Sequence, residues 1–238
     1  MYDEFLDRAS YNNTEFLHVF ITRKIVTEFL KRTQSTPEVS SIMEIGPGTG
    51  RGADCCRELE FQSYIGVEPN SRLADYCRKK GHAVLEEHLP NLSVPSSSFD
   101  LLFSIHVLEH APTYLNAIDW CKEMMRVVRP GGYILVVAPN IMEFKNYFWN
   151  GDWSHGFPTT PNRIVQVFND LGGKVIYSGN FHLGSSSWYI GVLSKLVSRF
   201  FPTTIVDLFS NKFFGRPLGT GLQQGALLGL AYVIIEKQ

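Results

Sequence analysis

Ile42-Met43-Glu44-Ile45-Gly46-Pro47-Gly48-Thr49-Gly50-Arg51-Gly52 joins a short apolar run to alternating glycines, with a carboxylate two residues before the first. Glycine lacks a Cβ, so such a stretch turns sharply and lets a ligand approach the backbone. Placed between a strand and a helix, it offers N–H groups and the positive end of the helix to an anionic group. Glu44 stands on the strand side, where it can accept from a cationic or hydroxyl group. A ligand carrying both a carboxylate and an ammonium would suit the two partners together.

The rest of the chain sets this turn in a repeated strand–helix pattern. The four-residue recurrence of Leu17, Ile21, Ile25 and Phe29 predicts a helix over 13–32. A strand is expected at Ser41–Ile45, a helix after the glycines to about Leu59, and a second strand at Ser63–Val67. Asn70 or Ser71 caps the next helix, whose buried face is Leu73, Ala74 and Cys77. A weak strand over 82–86 and a strong one at Phe99–Ile105 follow. Thr113 opens a helix with Ile118, Cys121, Met125 and Val128 on one face, stopped by Arg129-Pro130-Gly131-Gly132. Further strands are expected over 133–137, 174–177 and 228–235, and a helix begins at Thr160-Pro161. The alternation predicts an α/β fold, a doubly wound, mostly parallel sheet covered on both faces. Ligands in such sheets bind beyond the carboxyl ends of the strands, where the glycine turn falls.

Composition narrows the function classes. The chain has 238 residues, suited to one domain, with 44% apolar residues and a net charge of −1. No basic field invites nucleic acid, so no nucleic-acid partner is expected. The four cysteines, Cys55, Cys56, Cys77 and Cys121, form no Cys-x-x-Cys pair. No apolar run reaches the roughly 18 residues of a membrane span. Met1 to Arg8 do not read as a secretory leader, and a reducing cytoplasm is the expected location.

Two regions stand apart. Residues 1–36 read as an N-terminal helical cap, within which Tyr11 could close over a ligand. Residues 184–227 interrupt the pattern with Trp188-Tyr189-Ile190, Phe200-Phe201-Pro202 and Phe213-Phe214-Gly215. That insertion is either a helical subdomain with its own aromatic core or a lid over an apolar substrate. Peripheral membrane contact is a third reading.

Gly48-Thr49-Gly50-Arg51-Gly52-Ala53 also fits the dinucleotide pattern G-x-G-x-x-A, and Glu68 on the second strand suits a ribose in either case. Four segments in register decide between cofactors: 44–50, Gly66-Val67-Glu68-Pro69, the stretch from Ser98 through Leu108-Glu109-His110, and Arg126 through Gly132. With these the chain resembles class I S-adenosylmethionine-dependent methyltransferases, within the group of small-molecule enzymes related to those of ubiquinone biosynthesis. The resemblance implies a Rossmann-like sheet of seven strands with an antiparallel last strand. It also implies S-adenosylmethionine as cofactor and S-adenosylhomocysteine as product. Gly46, Pro47, Gly48, Thr49 and Gly50 would cradle the methionine part and Glu44 its amino end. Glu68 would take the ribose diol, and Pro69 would pack on the adenine. Relatives often place an acid after the third strand for the adenine amino group. Here Glu87-His88-Leu89 stands there, and a backbone contact at His88 or Leu89 is expected instead. Ser104 and His106 should lie near the transferable methyl.

His106-Val107-Leu108-Glu109-His110 spells H-x-x-E-H, a zinc pattern that requires a helix and another ligand downstream. The segment instead follows a strand and runs into Ala111-Pro112, so no metal is expected. His110 reads as a turn residue or as a substrate contact. Asp152 and His155 fall in a loop at the functional end of the sheet, as a packing pair or as a base for a hydroxyl acceptor. His182 is a weaker candidate. The function expected is transfer of a methyl to a small-molecule acceptor, an oxygen before nitrogen or carbon, by in-line displacement. A protein or RNA methyltransferase, a non-catalytic cofactor binder and a nicotinamide oxidoreductase are the alternatives.

Overall fold

The structure is a computed structural model that describes residues 15–38, 40–150, 152–181 and 229–238. The 184–227 insertion, Tyr11 and His182 lie outside the described residues, as does much of the 1–36 cap. Residues 25–181 and 229–238 form one compact unit, to which the description below applies.

Hydrophobic spacing is what turns each segment inward. Helix α1 (Glu15–Thr33) buries Ile25, Val26, Phe29 and Leu30, two adjacent pairs one turn apart. Strand β1 (Ser41–Ile45) leads through the glycine turn into α2 (Arg51–Glu58). Then come β2 (Ser63–Val67), α3 (Ser71–Lys79), a two-residue β3 (Val84–Leu85) and β4 (Phe99–Ile105). A 3-10 turn at Leu108–His110 precedes α4 (Tyr114–Val127) and β5 (Val128–Pro139). Two single-turn helices, α5 (Ile141–Phe144) and α6 (Tyr147–Asn150), lead on to α7 (Pro161–Asp170), β6 (Gly173–Phe181) and β7 (Leu230–Lys237).

The seven strands lie in the order β3-β2-β1-β4-β5-β7-β6. All run parallel except β7, which is antiparallel to both β5 and β6. This is the expected α/β architecture. The order reverses between β1 and β4: from β1 the chain moves outward to β2 and β3, then crosses back to β4. The crevice outside the carboxyl ends of β1 and β4 is therefore the topological switch point.

Local differences from the sequence expectations have physical causes. The third strand keeps two residues of the expected five, because only Val84 and Leu85 pair with Gly66 and Val67 at the sheet edge. Strand β6 extends to Phe181 rather than Tyr177. Its exposure alternates, so Ser178, Gly179 and Asn180 read as loop although they pair with β7. On α4 the buried stripe is Ala117, Cys121 and Met124, and Ile118 is only partly covered. The β4–β5 register shifts between Phe99 and Leu101, whose partners are Val128 and Tyr133, so 129–132 bulge from the ladder. Among the described residues, no helix is long and apolar enough to cross a membrane.

Candidate functional site

The chain leaves β1 at Gly46 with φ +74° and passes Gly48 (+56°) and Gly50 (+80°) before α2 begins. An L side chain rarely takes these angles. At Gly46 a Cβ would also stand 2.5 Å from Val107 Cγ2. At Gly48 a Cβ would meet nothing within 4 Å, so only the backbone conformation demands glycine, and the turn is open on that side. The amide of Gly50 donates to Pro47 O at 2.8 Å and closes the turn. Helix α2 has no side-chain cap, unlike α3, α4 and α7, which use Asn70, Thr113 and Thr160.

Glu68 directly follows β2 and faces this turn. Its Oε2 accepts the Gly48 amide at 3.0 Å and its Oε1 accepts the Asn70 amide at 3.0 Å. A carboxylate has about four acceptor sites, so about two stay available. Burial lifts the Glu68 carboxyl above its ordinary pKa, opposed by the amides of Asn70 and Gly48. Pro69, next along, is exposed.

Glu44 is buried beneath the turn. Its register partner across the sheet is Gly66, which leaves the space through which Tyr64 reaches over to donate its hydroxyl to Glu44 Oε2 at 2.5 Å. A Cβ on Gly66 would lie 3.1 Å from that hydroxyl and 2.9 Å from Pro47 Cγ. A Cβ on Gly52 would come within 2.1 Å of Glu44 Oε1, so the last glycine of the stretch admits the carboxyl against α2. Burial pushes the Glu44 carboxyl up to about 8, against the Tyr64 hydrogen bond, with Glu68 and Asp54 adding to the rise.

Across the crevice, Ser104 on β4 pairs in register with Ile45 and is wholly buried. Its Oγ has no hydrogen-bond partner among the described residues, and neither does Thr49 Oγ1 in the glycine turn. Buried polar atoms are normally satisfied, so two orphans flanking one crevice fit a polar ligand there. His106 follows with φ +57° and is exposed, its Nδ1 lying 3.2 Å from Glu109 Oε1.

The three proposed catalytic residues converge although they come from separate segments. His110 Nδ1 lies 2.9 Å from Ser154 Oγ, which itself donates to Asp152 Oδ1 at 2.6 Å. His155 Nδ1 lies 2.6 Å from Phe148 O, and the two imidazoles stand 5.0 Å apart at 65°. A carbonyl only accepts, and the single hydroxyl proton of Ser154 is already given to Asp152. Both Nδ1 atoms are therefore donors, and both Nε2 atoms carry the lone pair in the neutral rings. His155 Nε2 is 3.9 Å from Asp152 Oδ2, too far for a hydrogen bond. Burial depresses the His155 pKa. Burial raises that of Asp152, but the donors from Ser154 and the neighbouring His110 and His155 hold it below the ordinary range. Glu109, fully buried, completes the group: one ligand atom from each of Glu109, His110 and His155 lies within 4.8 Å of the others. The loop is pinned by the Phe157 amide donating to Glu109 O at 3.0 Å.

His88 and Leu89, expected to offer a backbone contact, stand just after β3. His88 is exposed and its Nδ1 lies 2.9 Å from Leu89 O, while Leu89 joins the hydrophobic core. Sequence reasoning missed Tyr64 and Ser154. Tyr64 sits two residues before Gly66, whose lack of a side chain was the available signal. Ser154 stands between the two residues that were singled out. Five of the eight exposed large hydrophobics among the described residues are Tyr114, Leu115, Met142, Trp149 and Trp153, all on segments leaving β4 or β5 at their carboxyl ends.

Residues 43–136 match a sequence family described as a methyltransferase domain. The tRNA (carboxymethyluridine(34)-5-O)-methyltransferase ALKBH8 of Mus musculus is 31% identical over 122 residues, 51% of this chain and 18% of the relative. A fatty-acid O-methyltransferase of Mycolicibacterium smegmatis is 29% identical over 107 residues, 43% of this chain and 38% of the relative. The chain thus spans less than half the length of either. A solved S-adenosylmethionine-dependent methyltransferase from Archaeoglobus fulgidus superposes with a TM-score of 0.61 at 19% identity, covering 91% of this chain and 94% of that one. The [4+2]-cyclase SpnF superposes at 0.63 and 15% identity, covering 90% and 81%. At such identities the likeness shows the fold alone.

Proposed function

We propose that this chain, which carries a class I S-adenosylmethionine-dependent methyltransferase domain, methylates a hydroxyl oxygen of a small, largely apolar acceptor. The observation that carries this reading is the buried Glu68 carboxylate held at 3.0 Å against the Gly48 amide at the switch point. Bound S-adenosylmethionine supplies a methyl already activated on a sulfonium. The residues present fit it: a glycine turn with an unsatisfied Thr49 hydroxyl, a buried Glu44 for the amino end, and spare acceptor capacity on Glu68 for a diol. Ser104, buried at the end of β4, and His106 beside it line the side of the crevice from which an acceptor would approach.

The chain's remaining task is alignment and exclusion of water. The glycine turn, Glu44 and Glu68 would hold the donor so that its methyl carbon passes to the acceptor oxygen, with the electron pair of the carbon–sulfur bond left on sulfur. The hydroxyl proton passes to an imidazole Nε2 of the His110–His155 pair, whose Nδ1–H groups are anchored on Ser154 and Phe148. Asp152 acts through Ser154 by orienting His110. The exposed Trp153, Trp149, Met142 and Tyr114 favour an apolar acceptor, and the named fatty-acid O-methyltransferase is compatible with one. The named tRNA methyltransferase supports a second reading, an RNA oxygen as acceptor.

Gly156→Ala tests the acceptor half of the site. Its Cβ would sit 2.5 Å from Ala111 O and 2.8 Å from Pro112 O, backbone atoms that cannot turn aside. The 152–157 loop must then move away from His110. Turnover of labelled donor with hydroxylated apolar acceptors should fall about 100-fold or more, as expected for a misplaced reacting group. Affinity for S-adenosylhomocysteine should hold within about twofold, since the change lies outside the cofactor residues. Equal turnover in variant and parent removes the loop from the reaction. Turnover on tRNA but on no small hydroxyl compound moves the acceptor to the second reading.

A further inference from the structure

We propose that Glu109, His110 and His155 bind one divalent transition-metal ion, zinc by preference, beside the acceptor oxygen. In the sequence, H-x-x-E-H at 106–110 lacks both the helix and the downstream ligand that a zinc site of that pattern requires. The fold replaces both. The 3-10 turn presents Glu109 and His110 consecutively, and the loop after α6 delivers His155 from 45 positions on.

Three independent features of the group point to a cation. Glu109 is fully buried, its Oε1 is held by His106 at 3.2 Å, and its Oε2 has no hydrogen-bond partner among the described residues. A buried carboxylate oxygen facing no donor is costly unless something positive meets it. Each imidazole donates its Nδ1–H to a fixed acceptor, Ser154 Oγ on one and Phe148 O on the other. That arrangement orients metal-binding histidines and leaves Nε2 as the ligand atom. One possible ligand atom from each of the three residues already lies within 4.8 Å of the others. A tetrahedral ion with bonds of about 2.1 Å holds its ligands roughly 3.4 Å apart, so a closure of about an ångström suffices. Two nitrogens and one carboxylate, with positions left open, suit zinc, whereas magnesium takes oxygen ligands.

Its role rests on the methyl-transfer reading. The ion would hold the acceptor hydroxyl in an open coordination position and promote loss of its proton to solvent. The oxygen then meets the methyl already deprotonated, and the bound ion takes the place of the imidazole base given above, since the Nε2 lone pairs are then on the metal.

Cobalt(II) alone is the probe, added to full-length, tag-free protein stripped with chelator. One equivalent should bind and give the intense visible bands of a four- or five-coordinate ion, displaced by zinc. Glu109→Gln and His155→Gln, close in size to the residues they replace, should each lower cobalt affinity at least tenfold. His88→Ala should leave it unchanged. Calorimetry with S-adenosylhomocysteine on the same samples reports whether each variant remains folded. Absence of the bands in protein that still binds S-adenosylhomocysteine overturns the metal site and leaves the methyl-donor reading standing. Bands that survive both glutamine variants overturn the assignment of ligands. Cobalt binding with no S-adenosylhomocysteine binding overturns the methyl-donor reading and keeps the metal.

Discussion

Glu68→Ala should weaken binding of S-adenosylhomocysteine by about 10- to 150-fold, the loss of charge-assisted hydrogen bonds worth about 1.5–3 kcal/mol. The carboxylate is buried and already receives the Gly48 and Asn70 amides. Its remaining acceptor capacity would suit a vicinal diol, which offers two donors. The same change strips two loop amides of their acceptor, so the melting temperature without ligand should fall as well. Glu68→Gln separates the two effects. Its single carbonyl oxygen can still receive an amide, but its NH2 group meets a donor, so affinity should fall more than stability. Isothermal calorimetry reads the first quantity and thermal denaturation the second. Unchanged affinity in the alanine variant removes Glu68 from the cofactor site.

The second large effect is a proton. Glu44 in the folded protein titrates near 8, whereas in an unfolded chain it would titrate near 4.5. Burial is the main cause, offset in part by the Tyr64 hydroxyl and reinforced by Glu68 and Asp54. The folded form therefore keeps a proton that the unfolded form has lost throughout this window. Stability is fully present below about pH 4.5 with respect to this group and declines as pH rises toward 8, by at most about 1.4 kcal/mol per unit. Above 8 the slope from this group vanishes. Glu44→Gln should flatten the decline, which denaturant unfolding at pH 5.5, 6.5 and 7.5 would show. A cofactor ammonium near this carboxyl favours its ionised form and pulls the pKa back down. Binding of S-adenosylhomocysteine at pH 7 should then release up to about one proton per chain, as read from binding enthalpies in buffers of different ionisation heat. If Glu44→Gln leaves both the stability slope and the proton release unchanged, the assignment of Glu44 to the amino end is wrong.

Much of the framework was legible because it follows from residue periodicity. The apolar runs of β1 and β4 are buried on both faces, as central parallel strands must be, and the glycine turn between β1 and α2 could only be a turn. Glu68 and Glu44 stand out in the sequence because a carboxylate beside an apolar strand end has few structural reasons to be there. The edge strands were blurred, since β3 is held by two residues and β6 alternates with polar ones. The convergence of His110 with Asp152 and His155 is tertiary: it depends on backbone contacts between 109–112 and 156–157 that no local pattern records. The metal-ligating potential of His110 was hidden for the same reason. H-x-x-E-H lacks its helix here, and the further ligand arrives through the fold.

The most direct test of the methyl-donor reading is a pair of calorimetric titrations of full-length protein, one with S-adenosylhomocysteine and one with NAD. Both ligands place a ribose diol within reach of a glycine turn and a following acid, so only the ligand itself decides between them. One equivalent of S-adenosylhomocysteine binding, with no heat from NAD, is the predicted result; saturable binding of NAD with none of S-adenosylhomocysteine would contradict it.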